Sequence, residues 1–185
     1  MKKHPILKEV LDYAKMIVIS FVCVYILTTF FVRPVEVVGD SMYPTLKDGQ
    51  MGITSIISLK VGGIDRYDVV VANLAMKDEL IVKRVIGLPN DTIRCINGII
   101  YINDEAIDEY YLNETYVLEQ TQLEFDKLFT KNFNEITLGE DEYFLLGDNR
   151  LHSSDSRVFG VFKEEDIISK NIYVWYPFNE MSVVK

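Results

Sequence analysis

A run of seventeen residues without a charge, Met16–Val32 (MIVISFVCVYILTTFFV), constrains this chain more than any other feature. As a helix rising about 1.5 Å per residue it covers roughly 26 Å, the short end of what a bilayer core requires, and Ala14 extends it if Lys15 snorkels. Residues 1–15 hold Lys2, Lys3, Lys8 and Lys15 against Glu9 and Asp12. The positive-inside rule therefore places the N-terminus in the cytoplasm and everything from Arg33 onward outside, with Arg33 opposing only weakly. A cleaved signal peptide would show a shorter apolar core and a small-x-small site, whereas this run ends FFVRPVEV, so an uncleaved signal anchor in the cell membrane is expected. The chain divides into a cytoplasmic tail, 1–15, a transmembrane anchor, 16–32, and an extracytoplasmic domain, 33–185.

That domain is long enough to bury a sizeable core. Lys and Arg number 19 against 28 Asp and Glu, a net charge of −9, which argues against a broad nucleic-acid-binding face. Cys23 and Cys95 cannot supply a disulfide framework, and no Cys/His spacing resembles a zinc site. Neither a metal nor a small-molecule cofactor is expected.

The grammar of residues 33–185 is mainly β. Short β-branched and aromatic runs (VEVV, DVVVA, LIVKRVI, TIRCI, IIYIN, EYFLLG, NIYVWYPF) recur between turn signals. Asn97-Gly98 between two such runs marks a two-residue hairpin. The expectation is an antiparallel, barrel-like β domain behind a single N-terminal transmembrane helix. Between Asp104 and Glu142 twelve acidic residues meet only Lys127 and Lys131. This stretch reads as a peripheral insertion or small subdomain whose charges form a solvated face, while its aromatic residues imply that parts of it pack.

The available chemistry is narrow. His4 lies in the tail and His152 is the one histidine of the outer domain. A Ser-His-Asp triad through His152, in the run GDNRLHSSDSR, stays open on composition, although a surface turn histidine is the plainer reading. A lysine can act as general base only if burial lowers its pKa from about 10.4. Lys83 lies in the apolar run LIVKRVI, where alternation sends Lys83 and Arg84 to opposite faces. The strand alone leaves a structural salt bridge and a general base both open. Upstream, Gly39-Asp40-Ser41-Met42-Tyr43-Pro44 makes a turn nine residues beyond the apolar run, suited to exposing a serine hydroxyl.

Together these segments resemble the bacterial type I signal peptidases, membrane-anchored serine proteases with a Ser/Lys dyad, in their Gram-positive-like form. The boxes follow the anchor in order: Ser41-Met42-Tyr43-Pro44-Thr45-Leu46, Tyr67-Asp68-Val69-Val70-Val71, Lys83-Arg84-Val85-Ile86-Gly87-Leu88-Pro89, and Gly147-Asp148-Asn149-Arg150 with Ser153, Asp155, Ser156 and Arg157. They cover about a sixth of the domain, and their joint order is far more specific than any one of them. The resemblance implies Ser41 as nucleophile and Lys83 as general base, with Ser153 hydrogen-bonding and orienting the lysine. It implies Asp155 and Arg157 as an ion pair, and Arg84, Asp148, Asn149 and Arg150 as support.

The resemblance further implies preprotein signal peptides as substrates, cut after a small-x-small, Ala-x-Ala-like site. Val35, Val37, Met42, Leu46, Ile81 and Val82 are the positions expected to line two shallow pockets, and for each of them ordinary core is an alternative. Two departures stand out. Gly39 occupies the position where some members carry a hydroxyl for the oxyanion hole, so a second donor must come from elsewhere. Asn90 stands in LPND where the family often has glycine, which should alter only a turn. Two other functions compete: a catalytically silent relative acting in surface-protein assembly, and a DNA-binding, self-cleaving Ser/Lys regulator. Retention of Ser41, Lys83 and Ser153 counts against the first, and the anchor and acidic charge count against the second.

Overall fold

The computed structural model describes residues 5–122 and 127–185. The apolar run lies in a 26-residue helix, α1 (Pro5–Phe30), of which Lys8–Phe30 is long and apolar enough to cross a membrane. None of its most apolar window is buried against the rest of the chain. The helix stops at Phe30, short of the expected Val32, because Val32 already pairs as the first residue of β1 (Val32–Glu36). The Phe31 carbonyl accepts the Ile56 and Ile57 amides at 2.9 and 3.3 Å, tying the end of the helix to the domain.

The rest is mainly antiparallel β, as the sequence patterning implies, arranged as two sheets. β1 pairs with β2 (Met51–Ser55), which runs directly into a short helix, α2 (Ile56–Gly62). Next come β3 (Val69–Leu74), β4 (Glu79–Gly87), β5 (Thr92–Ile96), β6 (Ile99–Ile102), β7 (Glu105–Ala106), α3 (Glu114–Gln122), β8 (Phe133–Thr137) and β9 (Glu142–Leu146). The chain closes with α4 (Ser156–Phe159), β10 (Phe162–Lys163), the long β11 (Ile167–Tyr176) and β12 (Ser182–Val184). The larger sheet has the order β1-β2-β11-β3-β4-β9-β10, with β12 on the flank of β11, and the smaller one the order β7-β6-β5-β8.

Burial follows position. β3, a nearly continuous apolar run between β11 and β4, is buried at five of its six residues, as a strand covered on both faces must be. Pro34, which has no N–H to give, sits on the edge strand β1. The Asn97-Gly98 hairpin is present: Ile96 pairs with Ile99, and φ is 52° and 81° at the two turn residues, the left-handed pair that a type I′ turn requires. Asn90, at φ 67°, fills a turn position that asparagine tolerates. In NIYVWYPF the alternation puts Ile172 and Val174 in the core at 0% exposure and leaves Trp175, Tyr176 and Phe178 exposed.

The acidic segment is built into the fold. It supplies β7 and β8 to the smaller sheet, and Phe133 stacks on Phe144 of β9 with ring centroids 5.3 Å apart.

Candidate active site

Two turns meet beside β4. Residues 39–46 follow β1, and residues 147–157 follow β9, which pairs with the C-terminal half of β4. The first turn is opened by Gly39, whose φ of 79° suits glycine, and its amide donates to Asp48 Oδ1 at 2.6 Å. Leu46 N–H donates to the Met42 carbonyl, so Ser41 sits on a compact turn whose apolar side chains, Met42 and Leu46, are sunk in the core.

Lys83, on β4, is 3% exposed, and its Nζ donates to Ser41 Oγ at 2.7 Å and to the Val82 carbonyl at 2.9 Å. Burial lowers its pKa from 10.5 to about 8, against the opposing pull of the Asp155 and Asp148 carboxylates. A lysine in this setting sheds its proton within reach of physiological pH while its nitrogen already touches a serine hydroxyl.

The second turn is pressed against the first. Asn149 N–H donates to the Ser41 carbonyl at 3.1 Å and Asn149 Nδ2 to the Asp40 carbonyl at 3.0 Å. Gly147 has no room for a side chain, since a Cβ would collide with Ser153 Oγ and the Ser41 carbonyl oxygen. Asp155 accepts the Gly147 amide at 3.0 Å and pairs with Arg157 at 2.7 Å. Burial works to raise the Asp155 pKa, but the Arg157 hydrogen bonds and charge, with the Gly147 amide, hold it below the ordinary value.

Arg84, next to Lys83 on β4, forms a two-pronged pair with Asp148 through Nε at 2.9 Å and Nη2 at 2.7 Å. Asp148 also accepts the Thr45 hydroxyl at 2.6 Å, so one carboxylate links β4, the serine turn and the second turn. Arg84 lies over the Tyr111 ring, 4.3 Å from its centroid. Arg150 is wholly buried and donates to the Gly147 carbonyl at 3.0 Å.

The geometry thus brings Ser41, Lys83, Arg84, Asp148, Asn149, Arg150, Ser153, Asp155 and Arg157 together. It differs from expectation at Ser153. Among the described residues the hydrogen bonds of the lysine go to Ser41 and Val82, while Ser153 Oγ is buried facing Gly147 and turns its hydroxyl to the Asp155 carboxylate, whose pKa it helps to lower. The His152 amide donates to the Asn149 carbonyl at 3.0 Å, but the residue is exposed and among the described residues its ring hydrogen-bonds to neither Ser41 nor Asp155, so no triad forms through it.

A cleft of about 480 Å³ runs up to Ser41 and Lys83 between two free strand edges. β1 ends the larger sheet, and β4 pairs with β9 only from Arg84 onward, leaving Glu79–Lys83 unpaired on that side among the described residues. Val35, Val37, Met42, Ile81 and Val82 line the cleft. Leu46 does not: at 0% exposure it packs in a core cluster with Val69 and Ile172. Sequence reasoning missed Glu36 and Glu79, which also line the cleft, and the residues around Arg150, namely Glu109, Tyr111 and Thr130. Among the described residues no cluster of His, Cys, Asp and Glu is arranged to hold a metal ion.

The family model for signal peptidase, peptidase S26, matches residues 10–176. The chain is 40% identical over 175 residues to signal peptidase I S of Bacillus subtilis, covering 94% of this chain and 93% of that one. It is 37% identical over 180 residues to signal peptidase IB of Staphylococcus aureus strain COL, with the same coverage. Its fold is similar to the crystal structure of a signal peptidase I from Enterococcus faecalis, with a TM-score of 0.52 and 28% identity over 58% of this chain and 95% of that chain.

Proposed function

This chain belongs to the signal peptidase family, peptidase S26, and from that premise we propose that it removes N-terminal signal peptides from exported preproteins by a Ser/Lys mechanism. The observation that carries the mechanism is the 2.7 Å contact between Lys83 Nζ and Ser41 Oγ with the lysine 3% exposed. In this reading neutral Lys83 takes the Ser41 hydroxyl proton as Oγ attacks the scissile carbonyl. The ammonium then gives that proton to the leaving amine as the acyl-enzyme forms. Lys83, neutral again, next deprotonates a water that attacks the ester, and returns the proton to Ser41 Oγ as the acid product leaves. The developing oxyanion takes the Ser41 amide. Gly39 has no side-chain donor to add, and its amide is engaged by Asp48.

The two free edges explain how an extended peptide is held. A segment entering the cleft hydrogen-bonds to the edges of β1 and β4, and every second side chain faces the same wall. The apolar lining of Val35, Val37, Met42, Ile81 and Val82 leaves shallow space for small residues at the first and third positions before the cut. Helix α1 holds the domain at the membrane surface where such segments emerge, with residues 1–15 cytoplasmic and the domain from Arg33 onward outside. No cofactor, metal or nucleic acid enters this reading.

The test is incubation of the detergent-solubilised protein with a preprotein carrying an Ala-x-Ala site, followed by N-terminal sequencing of the product. A new N-terminus directly after that site, absent with Ser41→Ala, is the expected result. An uncut preprotein, with a known signal peptidase active beside it, sinks the reading.

A further inference from the structure

The acidic segment reaches the candidate active site at one point. Glu109, a residue of the 104–142 stretch, accepts from Arg150 Nη2 and from the Tyr111 hydroxyl, the latter at 2.6 Å. Tyr111 OH also takes Arg150 Nη2 at 2.9 Å, and Thr130 Oγ1, from the same segment, takes Nη1 at 2.8 Å. Nε, the third nitrogen of the guanidinium, donates to the Gly147 carbonyl.

The guanidinium is entirely buried and Glu109 is its one ion-pair partner among the described residues. The Glu109 carboxylate and Tyr111 hold its pKa up against a burial that works to lower it. A charge this deep keeps its place only when paired and fully hydrogen-bonded. What it is held against is the turn that touches the nucleophile. Gly147 abuts the Ser41 carbonyl oxygen, Asn149 N–H donates to that oxygen, and Asp148 and Asp155 are the charges that act on Lys83. A second contact runs the same way, with the Tyr116 ring of α3 edge-on to Tyr43 of the serine turn, centroids 5.1 Å apart.

We propose that Glu109 is a positioning residue for the reaction: through Arg150 and the Gly147 carbonyl it fixes the 147–149 turn against Ser41, and so sets the Ser41–Lys83 geometry. The inference deepens the Ser/Lys reading and rests on it. It gives the acidic segment a role its composition does not suggest, since one of its carboxylates, only 15% exposed, is a strut inside the fold rather than part of a solvated face.

Three versions of the full chain in detergent, wild type, Glu109→Ala and Glu109→Met/Arg150→Met, are compared on an Ala-x-Ala peptide for kcat, KM, pH profile and thermal unfolding. For folded Glu109→Ala, kcat falls about 10- to 100-fold, the order expected for a slight misplacement of reacting groups, while KM stays within about twofold. Its basic limb also moves up in pH as the loosened turn lets water reach Lys83. The double variant removes the buried guanidinium together with its partner and so recovers Tm, yet kcat stays low because the Gly147 carbonyl has lost its donor. Wild-type kcat and an unmoved limb in Glu109→Ala overturn the proposal, as does a double variant that recovers kcat together with Tm. An inactive wild type instead overturns the peptidase reading, so the two failures are distinguishable.

Discussion

Lys83 and Arg84 are neighbours on one strand, each 3% exposed, and they are stabilised in opposite ways. Arg84 meets a carboxylate, Asp148, at 2.7 Å, whereas the Lys83 ammonium meets a hydroxyl and a carbonyl. The guanidinium has its counter-ion beside it. The ammonium, buried without a direct counter-ion among the described residues, is pushed toward its neutral form.

The buried lysine ties stability to pH. The unfolded lysine holds its proton up to its ordinary value of 10.5, and the folded one only to about 8. Between those values the unfolded state binds more protons, so this group makes stability rise with pH. Below about 8 both states are protonated and the fold carries a buried ammonium, a penalty of about 3 kcal/mol. Lys83→Met removes it. Thermal unfolding at pH 7 should find the variant more stable than wild type, with the gap closing toward pH 10.5. A variant less stable at pH 7 contradicts the assignment.

Breaking the other pair works in the opposite direction. Asp148→Ala strands Arg84 and deprives the Thr45 hydroxyl of its acceptor, so it should cost about 3–5 kcal/mol. Denaturant unfolding measures this directly, and a loss under about 1 kcal/mol would show that the pair is not a strut between β4 and the two turns.

Gly147→Ala tests the contact between the turns. The added methyl meets Ser153 Oγ and the Ser41 carbonyl oxygen, and overpacking of this kind costs about 1–3 kcal/mol. Turnover should fall further than stability, because relief of the clash displaces the serine. Undiminished kcat in folded Gly147→Ala would mean that the turn has slack.

Cleft size is tested by Ile81→Ala, which deepens the wall beside Lys83. The ratio of kcat/KM for a peptide with Val against one with Ala before the cut should rise about 10- to 200-fold, the range for a change of one or two methyl groups in an apolar pocket. An unchanged ratio places the pocket elsewhere.

Much of this molecule was legible in its residues because the signals were local. The uncharged run reads as a helix, β3 and β4 read as β-branched strands, and Asn97-Gly98 reads as a turn whose φ values only such residues adopt comfortably. What escaped depends on contacts across the fold. β2 contains Gly52, which reads as a strand breaker, yet a Cβ there would lie 2.9 Å from Ile172 Cγ2 and the Tyr173 carbonyl oxygen, so the glycine is what lets β11 approach. Leu46 looks like a pocket residue beside Met42, and only packing against β3 and β11 makes it core. Glu109 is one acid among twelve in its stretch, and its partner is 41 residues away. Ser41 and Lys83 were within reach only because their boxes occur in order, since the strand around Lys83 alone also fits a salt bridge.

The central claim is that Lys83 activates Ser41, and the most direct test is the pH dependence of cleavage of an Ala-x-Ala peptide by wild type, Ser41→Ala and Lys83→Met between pH 6 and 10. The account requires turnover by the wild type alone, with kcat/KM rising through a basic limb near 8, where Lys83 loses its proton. Wild-type turnover with a limb near the free-lysine value, or cleavage that survives Lys83→Met, would contradict it. Equal, negligible turnover in all three folded proteins would leave the chain a silent relative of the peptidases it resembles.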